Sequence, residues 1–508
     1  MKESGSSPVI RAFLILVAAS MAWCVEVSAA GFLEERVKEF SLDNGMKILV
    51  LNRPGSPTYA AYVRFLTGAV DEKTGETGIA HILEHMLFKG TRRIGTKDFA
   101  AEKRLMDEVE ALGSRLDAEN IKGEKADPDV IADLAERLKA KQAEQHEYAR
   151  KDEMADIYSR NGSSGFNAFT SMDTTTYLVK LPANKFELWA WMESDRLRSP
   201  VLREYYLERD VVMEERRRSV ENSPEGILYE RFKAAAFIAH PYGNPIIGWE
   251  SDIEFLPKES VRNFLKTYYA PNNMIVAVVG DVDPDYVHET IRRYFSDIPA
   301  QEIPPRIATK EPPQKGERRI EVTMDANPSV MTGFHKPSMP HKDDYVFDVI
   351  DSVLTSGRTS RLYKSLVLEK RLAASIGSFA AGGNRYDNVY GFHAAPRAPH
   401  TAREVEEAIY EELDRLKSEP VSGYELQKVI NNMEADHIRK LRSNSGLAYY
   451  LSYYQVISGD WRYMTRYLDE IRKVTPDDVT AAARKYFVKS NRTVATLVPE
   501  KVSGVDEN

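Results

Sequence analysis

The stretch Thr77-Gly-Ile-Ala-His81-Ile-Leu-Glu84-His85-Met-Leu-Phe-Lys-Gly90-Thr91 has apolar residues at helical spacing, which predicts a buried amphipathic helix. His81 and His85 are four residues apart, so their imidazoles lie one above the other on the same face. Glu84 is close enough to that face to reach a ligand held between the two rings. Two imidazoles with one more distant carboxylate form a zinc site that keeps an open position, as metal-assisted hydrolysis requires.

The order His-x-x-Glu-His is the inverse of the His-Glu-x-x-His helix found in many zinc proteases. The alternative is that the histidines are ordinary core residues of an apolar helix. Further segments of the chain, described below, match the metal interpretation, so we favour a metal site with Glu84 as its general base.

Length and composition indicate a multidomain globular protein. The chain has 508 residues, of which 43% are hydrophobic and 29% charged, and a chain of this length can bury more than one core. The formal net charge of −8 argues against a general nucleic-acid-binding protein, which would present a basic surface.

The N-terminus predicts a signal peptide over residues 1–30. Lys2 and Arg11 precede an apolar run over residues 12–25, and small residues follow at 28–30, which is the pattern of a cleaved secretory signal. An uncleaved N-terminal anchor is the alternative. Cys24 is the only cysteine, and cleavage would remove it, so the mature protein would have no disulfide. We therefore expect a periplasmic or secreted protein without a membrane span after signal cleavage.

Alternating and β-branched apolar runs predict strands before and after the His81 stretch. Residues 40–51 indicate two strands around a turn at Asp43-Asn-Gly45, and residues 59–66 and 174–179 indicate two more. Between them, residues 98–158 show two helical stripes, and Asp127-Pro128 is typical of a helix start. We interpret this region as a helical hairpin inserted beside the site.

An internal duplication is indicated by identities at one constant offset along the chain. Identical pairs occur where a helix leads into a strand in both copies, namely Val261/Val479, Tyr268/Tyr486, Asn273/Asn491, Val276/Val494 and Ala277/Ala495. A proline-rich stretch at 301–317 lies between the copies and is typical of a stiff linker. We therefore expect an N-terminal domain over 31–300, a similar C-terminal domain over 318–500 and a tail over 501–508.

The chain resembles the M16 family of zinc metallopeptidases, the group that contains mitochondrial processing peptidase. Its length is similar to that of the half-size M16B branch. The resemblance rests on six segments and covers nearly all of the mature chain: His81-Ile-Leu-Glu84-His85, Phe166-Asn-Ala-Phe-Thr-Ser171, residues 208–215, His240-Pro-Tyr-Gly-Asn-Pro-Ile-Ile-Gly248, residues 273–281 and Gly357-Arg-Thr-Ser-Arg-Leu-Tyr363. It implies an α+β fold of two similar halves, each a mixed, largely antiparallel sheet flanked by helices.

The resemblance also implies the other site residues. His81 and His85 would hold one zinc ion per chain, with Glu215 from a later helix as the third ligand. Glu214 is the alternative third ligand, and its side chain points about 100° away from that of Glu215 on a helix. Glu208, two turns earlier, would orient a ligand histidine.

The sequence departs from the family pattern in two places. The segment between His85 and Glu215 is longer than is usual in the family, and the helical hairpin accounts for the excess. Family members also use an arginine and a tyrosine from a C-terminal domain, and here Val367 and Ala374 align with them.

The second half further lacks the metal motif, and Asp348, Asp351 and Ser352 align with its His, Glu and His. We therefore expect a heterodimer in which a second M16-like subunit supplies the arginine and tyrosine. A homodimer is the alternative.

The function that follows is a zinc-dependent endopeptidase. Its substrates would be extended peptides or unfolded segments added as a strand beside Asn167, Ala168 and Phe169. The alternative is a zinc-binding scaffold or substrate-capture subunit without catalysis. A processing enzyme of an organelle is disfavoured because residues 12–25 are apolar rather than Arg-rich and amphipathic.

Overall fold

The computed structural model describes residues 29–500, with side chains from residue 33 onward. The predicted signal peptide up to residue 28, with Cys24, and the tail at 501–508 lie outside the described residues. Seventeen α-helices are present between residues 29 and 500: α1 Ala29–Arg36, α2 Ile79–Met86, α3 Phe99–Asn120, α4 Pro128–His146, α5 Glu153–Arg160, α6 Phe186–Arg198, α7 Tyr205–Arg216, α8 Pro224–Ala236, α9 Glu250–Glu254, α10 Lys258–Tyr268, α11 Pro284–Phe295, α12 Lys342–Thr355, α13 Ala402–Ser418, α14 Gly423–Lys440, α15 Asn444–Ile457, α16 Tyr463–Lys473 and α17 Pro476–Tyr486.

The strands within residues 29–500 form two sheets. There are eleven: β1 Val37–Ser41, β2 Lys47–Asn52, β3 Thr58–Phe65, β4 Ser164–Thr170, β5 Thr175–Pro182, β6 Met274–Gly280, β7 Arg318–Met324, β8 Ser329–Lys336, β9 Ala373–Ala381, β10 Asn388–Pro396 and β11 Arg492–Pro499. The first sheet has the order β1-β2-β6-β3-β5-β4 and the second has the order β7-β11-β8-β10-β9.

The two sheets have the same plan once β1 is set aside. In each, one pair of strands is parallel, β2 with β6 and β7 with β11, and all other neighbours are antiparallel. Strands β2, β6, β3, β5 and β4 therefore correspond in order to β7, β11, β8, β10 and β9. This confirms the predicted fold of two similar halves with mixed, largely antiparallel sheets.

The repeated helix-to-strand unit also keeps a side-chain contact. Asn273 Nδ2 donates a hydrogen bond to the Tyr268 carbonyl at 2.9 Å, and Asn491 Nδ2 donates one to the Tyr486 carbonyl at 3.0 Å. Each amide thus caps the C-terminal carbonyls of the preceding helix, α10 or α17, and holds the turn into the next strand. The constant offset seen in the sequence therefore marks equivalent positions in three dimensions.

The two halves exchange helices across their sheets. Helix α8, from the first half of the sequence, packs on β7 and β11 of the second sheet. Helix α15, from the second half, packs on β3 and β6 of the first sheet. Each half therefore buries apolar surface of the other, which couples the two sheets by the hydrophobic effect.

Helices α3 and α4 pack against each other. Helix α4 begins at Pro128 with Asp127 as its N-cap, as the sequence predicts. Helix α3 is anchored in the body of the protein, because Glu102 is fully buried and forms an ion pair with Arg203, and Asp117 binds Arg209. Helix α3 is therefore part of the wall behind α7.

The two helices that carry the candidate metal ligands are short. Helix α2 covers only Ile79–Met86 of the quoted stretch, since Gly78 before it has a left-handed backbone with φ of 88°. Helix α7 starts at Tyr205, and its end at Arg216 passes into a π-helical turn over Arg217–Glu221. No helix within residues 29–500 has both the length and the apolar character needed to cross a membrane.

Candidate metal centre

Helix α2 is fixed at its N-terminus by a buried carboxylate. Glu72 accepts hydrogen bonds from the Gly78 and Ala80 amides, each at 2.9 Å, which satisfies donors that a helix start leaves free. A Cβ on Gly78 would lie 2.5 Å from the Ile247 carbonyl oxygen, so only glycine fits this approach. The start of the helix, and with it the direction of its histidines, is thereby determined.

Arg203, just before α7, holds α7 in place relative to α2. Its Nε donates to Glu102 Oε1 at 2.5 Å, and its terminal nitrogens donate to Glu102 Oε2 and to the carbonyls of Lys89 and Thr91. The guanidinium is buried, and its charge is balanced by the Glu102 carboxylate. One residue thus connects helix α3, the loop after α2 and the start of α7.

His81 and His85 from α2 meet Glu215 from α7. His81 Nε2 lies 3.7 Å from Glu215 Oε1, and His85 Nε2 lies 3.5 Å from Glu215 Oε2. One ligand atom from each residue lies within 4.8 Å of the others, and in residues 29–500 no other trio of His, Cys, Asp or Glu does so. Two imidazole nitrogens and one carboxylate oxygen are the donor set of many catalytic zinc sites.

The neighbouring residue Glu214 points elsewhere. Its carboxylate forms an ion pair with Arg217 and is about half exposed. The structure thus brings Glu215, and not Glu214, to the two histidines, as the aligned sequence segment predicts.

Glu208 lies behind His85. Its Oε1 is 2.9 Å from His85 Nδ1, and its Oε2 is 2.5 Å from Lys89 Nζ. Burial alone would raise the pKa of Glu208, but the hydrogen bonds with His85 and Lys89 outweigh it and lower the pKa to about 2. A permanent carboxylate at Nδ1 keeps the proton there and leaves Nε2 as the electron-pair donor facing Glu215.

The electrostatics of the cluster suit a bound cation. Burial, and then the neighbouring His85, lowers the pKa of His81 to about 3, so this imidazole is neutral at pH 7. Burial also lowers the pKa of His85, but the carboxylates of Glu208, Glu215 and Glu84 outweigh it and raise the pKa overall. The site thus holds excess negative charge around two imidazoles, which fits a divalent metal ion.

Glu84 lies on the same helix and has a different partner. Its Oε2 accepts a hydrogen bond from Thr170 Oγ1 at 2.6 Å. Burial raises the pKa of Glu84, and the Thr170 hydrogen bond partly opposes this. A raised pKa makes this carboxylate a stronger proton acceptor, as a general base requires.

Strand β4 forms the edge of the first sheet beside the cluster. Asn167 lines a cleft of about 280 Å³ together with Glu84 and His85. Ala168 is buried, and the Phe169 ring packs near Tyr449 and the guanidinium of Arg64. The structure therefore brings Asn167 to the site, whereas the side chains of Ala168 and Phe169 are used in packing and only their backbone faces the edge.

The aligned positions of the missing arginine and tyrosine carry no polar side chain. Val367 is buried in a π-helical turn over Tyr363–Glu369, and Ala374 lies at the start of β9. In the second half, Asp348, Asp351 and Ser352 lie on α12 and line a separate cavity.

Two residues at the site had no role in the sequence interpretation. Thr170 binds Glu84, and Lys89 binds Glu208, although the members of each pair are far apart along the chain. No local pattern links such distant pairs. The only usable signal was position, because Thr170 belongs to the edge-strand segment and Lys89 follows the histidine motif by one turn.

Family models match both halves of the chain. The model described as "Insulinase (Peptidase family M16)" matches residues 47–126 and 111–250, and that described as "Peptidase M16 inactive domain" matches residues 256–433. The two segments of the first match overlap over residues 111–126, inside the region interpreted as an insertion. The first half thus matches the domain that carries the metal motif, and the second half matches the domain described as inactive.

Individual relatives match along most of their length. The chain is 28% identical over 469 residues to the zinc protease PqqE of Helicobacter pylori, with 90% of this chain and 92% of the relative covered. A crystal structure of a protease from Helicobacter pylori superimposes with a TM-score of 0.77 and 28% identity, over 91% of this chain and 99% of that one. The periplasmic protease PqqL from Escherichia coli shares the fold, with a TM-score of 0.68 and 15% identity over 92% of this chain and 48% of that one.

Proposed function

Because the chain belongs to the M16 peptidase family, we propose that it is a zinc-dependent endopeptidase whose metal is held by His81, His85 and Glu215. The observation that carries this proposal is the convergence of these three donors within 4.8 Å, beside the Glu84 carboxylate. The excess negative charge and the neutral His81 imidazole support a metal ion there.

The chain's own residues account for the proton transfers. A zinc ion bound at the three ligands would supply a Lewis acid and a water molecule of lowered pKa. Glu84 accepts the proton of the attacking water and passes it to the leaving amine. Thr170 holds the Glu84 carboxylate by its hydrogen bond, and Glu208 holds the His85 ring in the tautomer that presents Nε2.

Substrate selection follows from the edge of the first sheet. Within residues 29–500, strand β4 pairs with β5 on one side only, so its other side offers backbone donors and acceptors to an extended peptide. An added strand beside residues 167–169 would pass Asn167 and the cleft next to Glu84. Extended peptides and unfolded segments are therefore the proposed substrates.

The proposal includes a second subunit. Val367 and Ala374 cannot donate hydrogen bonds from their side chains to a substrate carbonyl, so the site of this chain lacks the arginine and tyrosine that the family uses. We propose that another M16-like subunit supplies them, and that the heterodimer acts in the periplasm or outside the cell. A native mature protein whose mass retains residues 1–29 would contradict export by signal cleavage.

Zinc content and peptide cleavage test the whole proposal. The full chain is purified alone and together with an M16-like subunit that carries the arginine and tyrosine, and both samples are assayed with an extended, internally quenched peptide. We expect about one zinc ion per chain in both and full hydrolysis only with the partner. Full hydrolysis by the chain alone would refute the heterodimer; zinc without hydrolysis in either sample would indicate a scaffold; absence of zinc would overturn the metal site.

A further inference from the structure

The second half contains a cavity at the position that the metal centre has in the first half. Helix α12 follows β8 and packs against β9, α14 and α17. Helix α2 follows β3 and packs against β4, α7 and α10 in the same way. Beside α12 lies a cavity of about 590 Å³. The duplicated fold thus forms a second concave site with different side chains.

Two carboxylates of this cavity form no ion pair among residues 33–500. Asp348 accepts a hydrogen bond from the Tyr467 hydroxyl at 2.8 Å, and Asp351 accepts from the hydroxyls of Thr355 and Tyr390 at 2.9 and 3.1 Å. Both line the cavity. They therefore place two carboxyl groups without an ion-pair partner on its wall.

The other charged groups of the lining form ion pairs or lie at exposed positions. Lys336 forms an ion pair with Asp344, and its lowering effect on the pKa of Asp348 is outweighed by burial and by Asp344. Asp436, at an exposed position of α14, forms an ion pair with Arg439, and the exposed Lys440 also lines the cavity. Asp348 and Asp351 are thus the acidic residues of the lining that have no ion-pair partner among the described residues.

A buried amide adds a third acceptor. Asn388 is only 2% exposed and lines the cavity. Its Nδ2 donates to the Gly383 carbonyl and to Asn384 Oδ1, whereas its Oδ1 has no hydrogen-bond partner among the described residues. A buried acceptor without a donor is costly, and a ligand with N–H groups would satisfy it.

The arrangement favours an organic cation over a metal ion. Within residues 29–500 the carboxylates of this cavity do not form a trio of ligand atoms within 4.8 Å, as the metal centre does. Instead tyrosine side chains surround the space, among them Tyr450, Tyr454 and Tyr463. Aromatic faces attract ammonium and guanidinium groups, and spaced carboxylates suit the several N–H donors of such a group.

We propose that this cavity binds an organic cation, a primary ammonium or guanidinium group, held by Asp348, Asp351 and the Oδ1 of Asn388. Burial, and then the neighbouring Asp344, raises the pKa of Asp348 to about 7, so a bound cation would stabilise the ionised form of this carboxyl group. The cation belongs either to a free amine or to a lysine or arginine side chain of a peptide. Binding there does not depend on the metal or on hydrolysis.

Calorimetry on the full chain tests the proposal. Cadaverine and agmatine are titrated as cationic probes, with 1,5-pentanediol as the neutral probe of similar length. We expect saturable binding of the cations only, weakened about tenfold or more by Asp348→Asn with Asp351→Asn. Asp469→Asn, an exposed aspartate on α16 paired with Arg472, should bind like the wild type.

A second variant and a peptide pair complete the test. Ser352→Arg places a tethered guanidinium in the cavity and should block the probes even if the double variant fails to fold. An N-acetylated peptide with a central lysine is compared with its norleucine analogue: selective binding of the lysine peptide identifies a peptide side chain, and binding of the free amines alone identifies a small amine. No saturable binding of any cation, or wild-type affinity in the folded variants, would overturn the proposal.

Discussion

The two halves of the chain share one topology but place different chemistry at the same point. In the first half, α2 carries His81, Glu84 and His85, and two of these converge with Glu215. In the second half, α12 carries Asp348, Asp351 and Ser352, and its carboxylates are held apart by hydroxyl groups. The packing of sheet and helices therefore determines where side chains converge, whereas the side chains themselves determine what can bind.

The two halves also differ in the helix that packs against the motif helix, which is α7 in the first half and α14 in the second. Helix α7 contributes Glu215 directly and Glu208 as a partner of His85. Helix α14, which packs on α12 in the corresponding place, contributes His437 and Asp436 to a wider cavity. A metal ion needs donors within a few ångströms of one another, and, among the described residues, the first half provides them.

Replacing one imidazole should produce the largest difference between the halves. His85→Ala removes one of three metal donors, so we expect bound zinc to fall from about one ion per chain to near zero. Ser352→Ala, at the aligned position of α12, should leave zinc content unchanged. Metal analysis of both folded variants measures the effect, and equal zinc loss in the two would contradict the assignment of the metal to the first half.

Removing only the base should separate metal binding from turnover. Glu84→Gln preserves the size of the side chain but cannot accept a proton, so we expect kcat to fall by about 10²–10⁴-fold with the partner subunit present. Zinc content should remain at the wild-type value. The Glu84 assignment fails if turnover persists in a preparation shown by mass to be fully substituted.

A smaller effect is expected from the residue behind the ligand. Glu208→Gln removes the charge that holds His85 Nδ1–H, and loss of such a partner lowers metal affinity by about 10–100-fold. Competition with a chelator measures this affinity. Glu214→Gln is the matched control, since the Glu214 side chain pairs with Arg217 at the surface. Equal losses in both variants would show that general helix charge, rather than the His85 contact, is responsible.

Much of the fold was predictable because its signals are local. The strand pair β1–β2, the strands β3 and β5, the N-cap of α4 and the repeat at a constant offset depend on short patterns that remain visible in the sequence. The exchange of α8 and α15 between the sheets was not predicted, because an apolar helix face does not specify which sheet will cover it. The ion pair between the buried residues Glu102 and Arg203 likewise joins positions that are distant along the chain.

The candidate site was predictable in part for the same reason. His81 and His85 need only the period of one helix, whereas Glu215 lies beyond the helical hairpin, much further along the chain, and required the family resemblance. The choice between Glu215 and Glu214 depends on the rotation of α7, which the contacts of Arg203 and the Glu214–Arg217 pair determine in three dimensions.

The smallest expected effect tests whether the repeated caps are energetically equivalent. Asn273→Ala and Asn491→Ala each leave the last carbonyls of α10 or α17 without their amide donor, and such a loss costs about 1–3 kcal/mol in free energy of unfolding. Urea unfolding of the metal-free chain measures each variant and the double variant. Asn263→Ala is the control, an exposed asparagine on α10 whose replacement should change stability by less than about 0.5 kcal/mol. If one cap variant behaves like this control, the two helix-to-strand units share a geometry but not an energetic role, and the equivalence of the halves would be limited to topology.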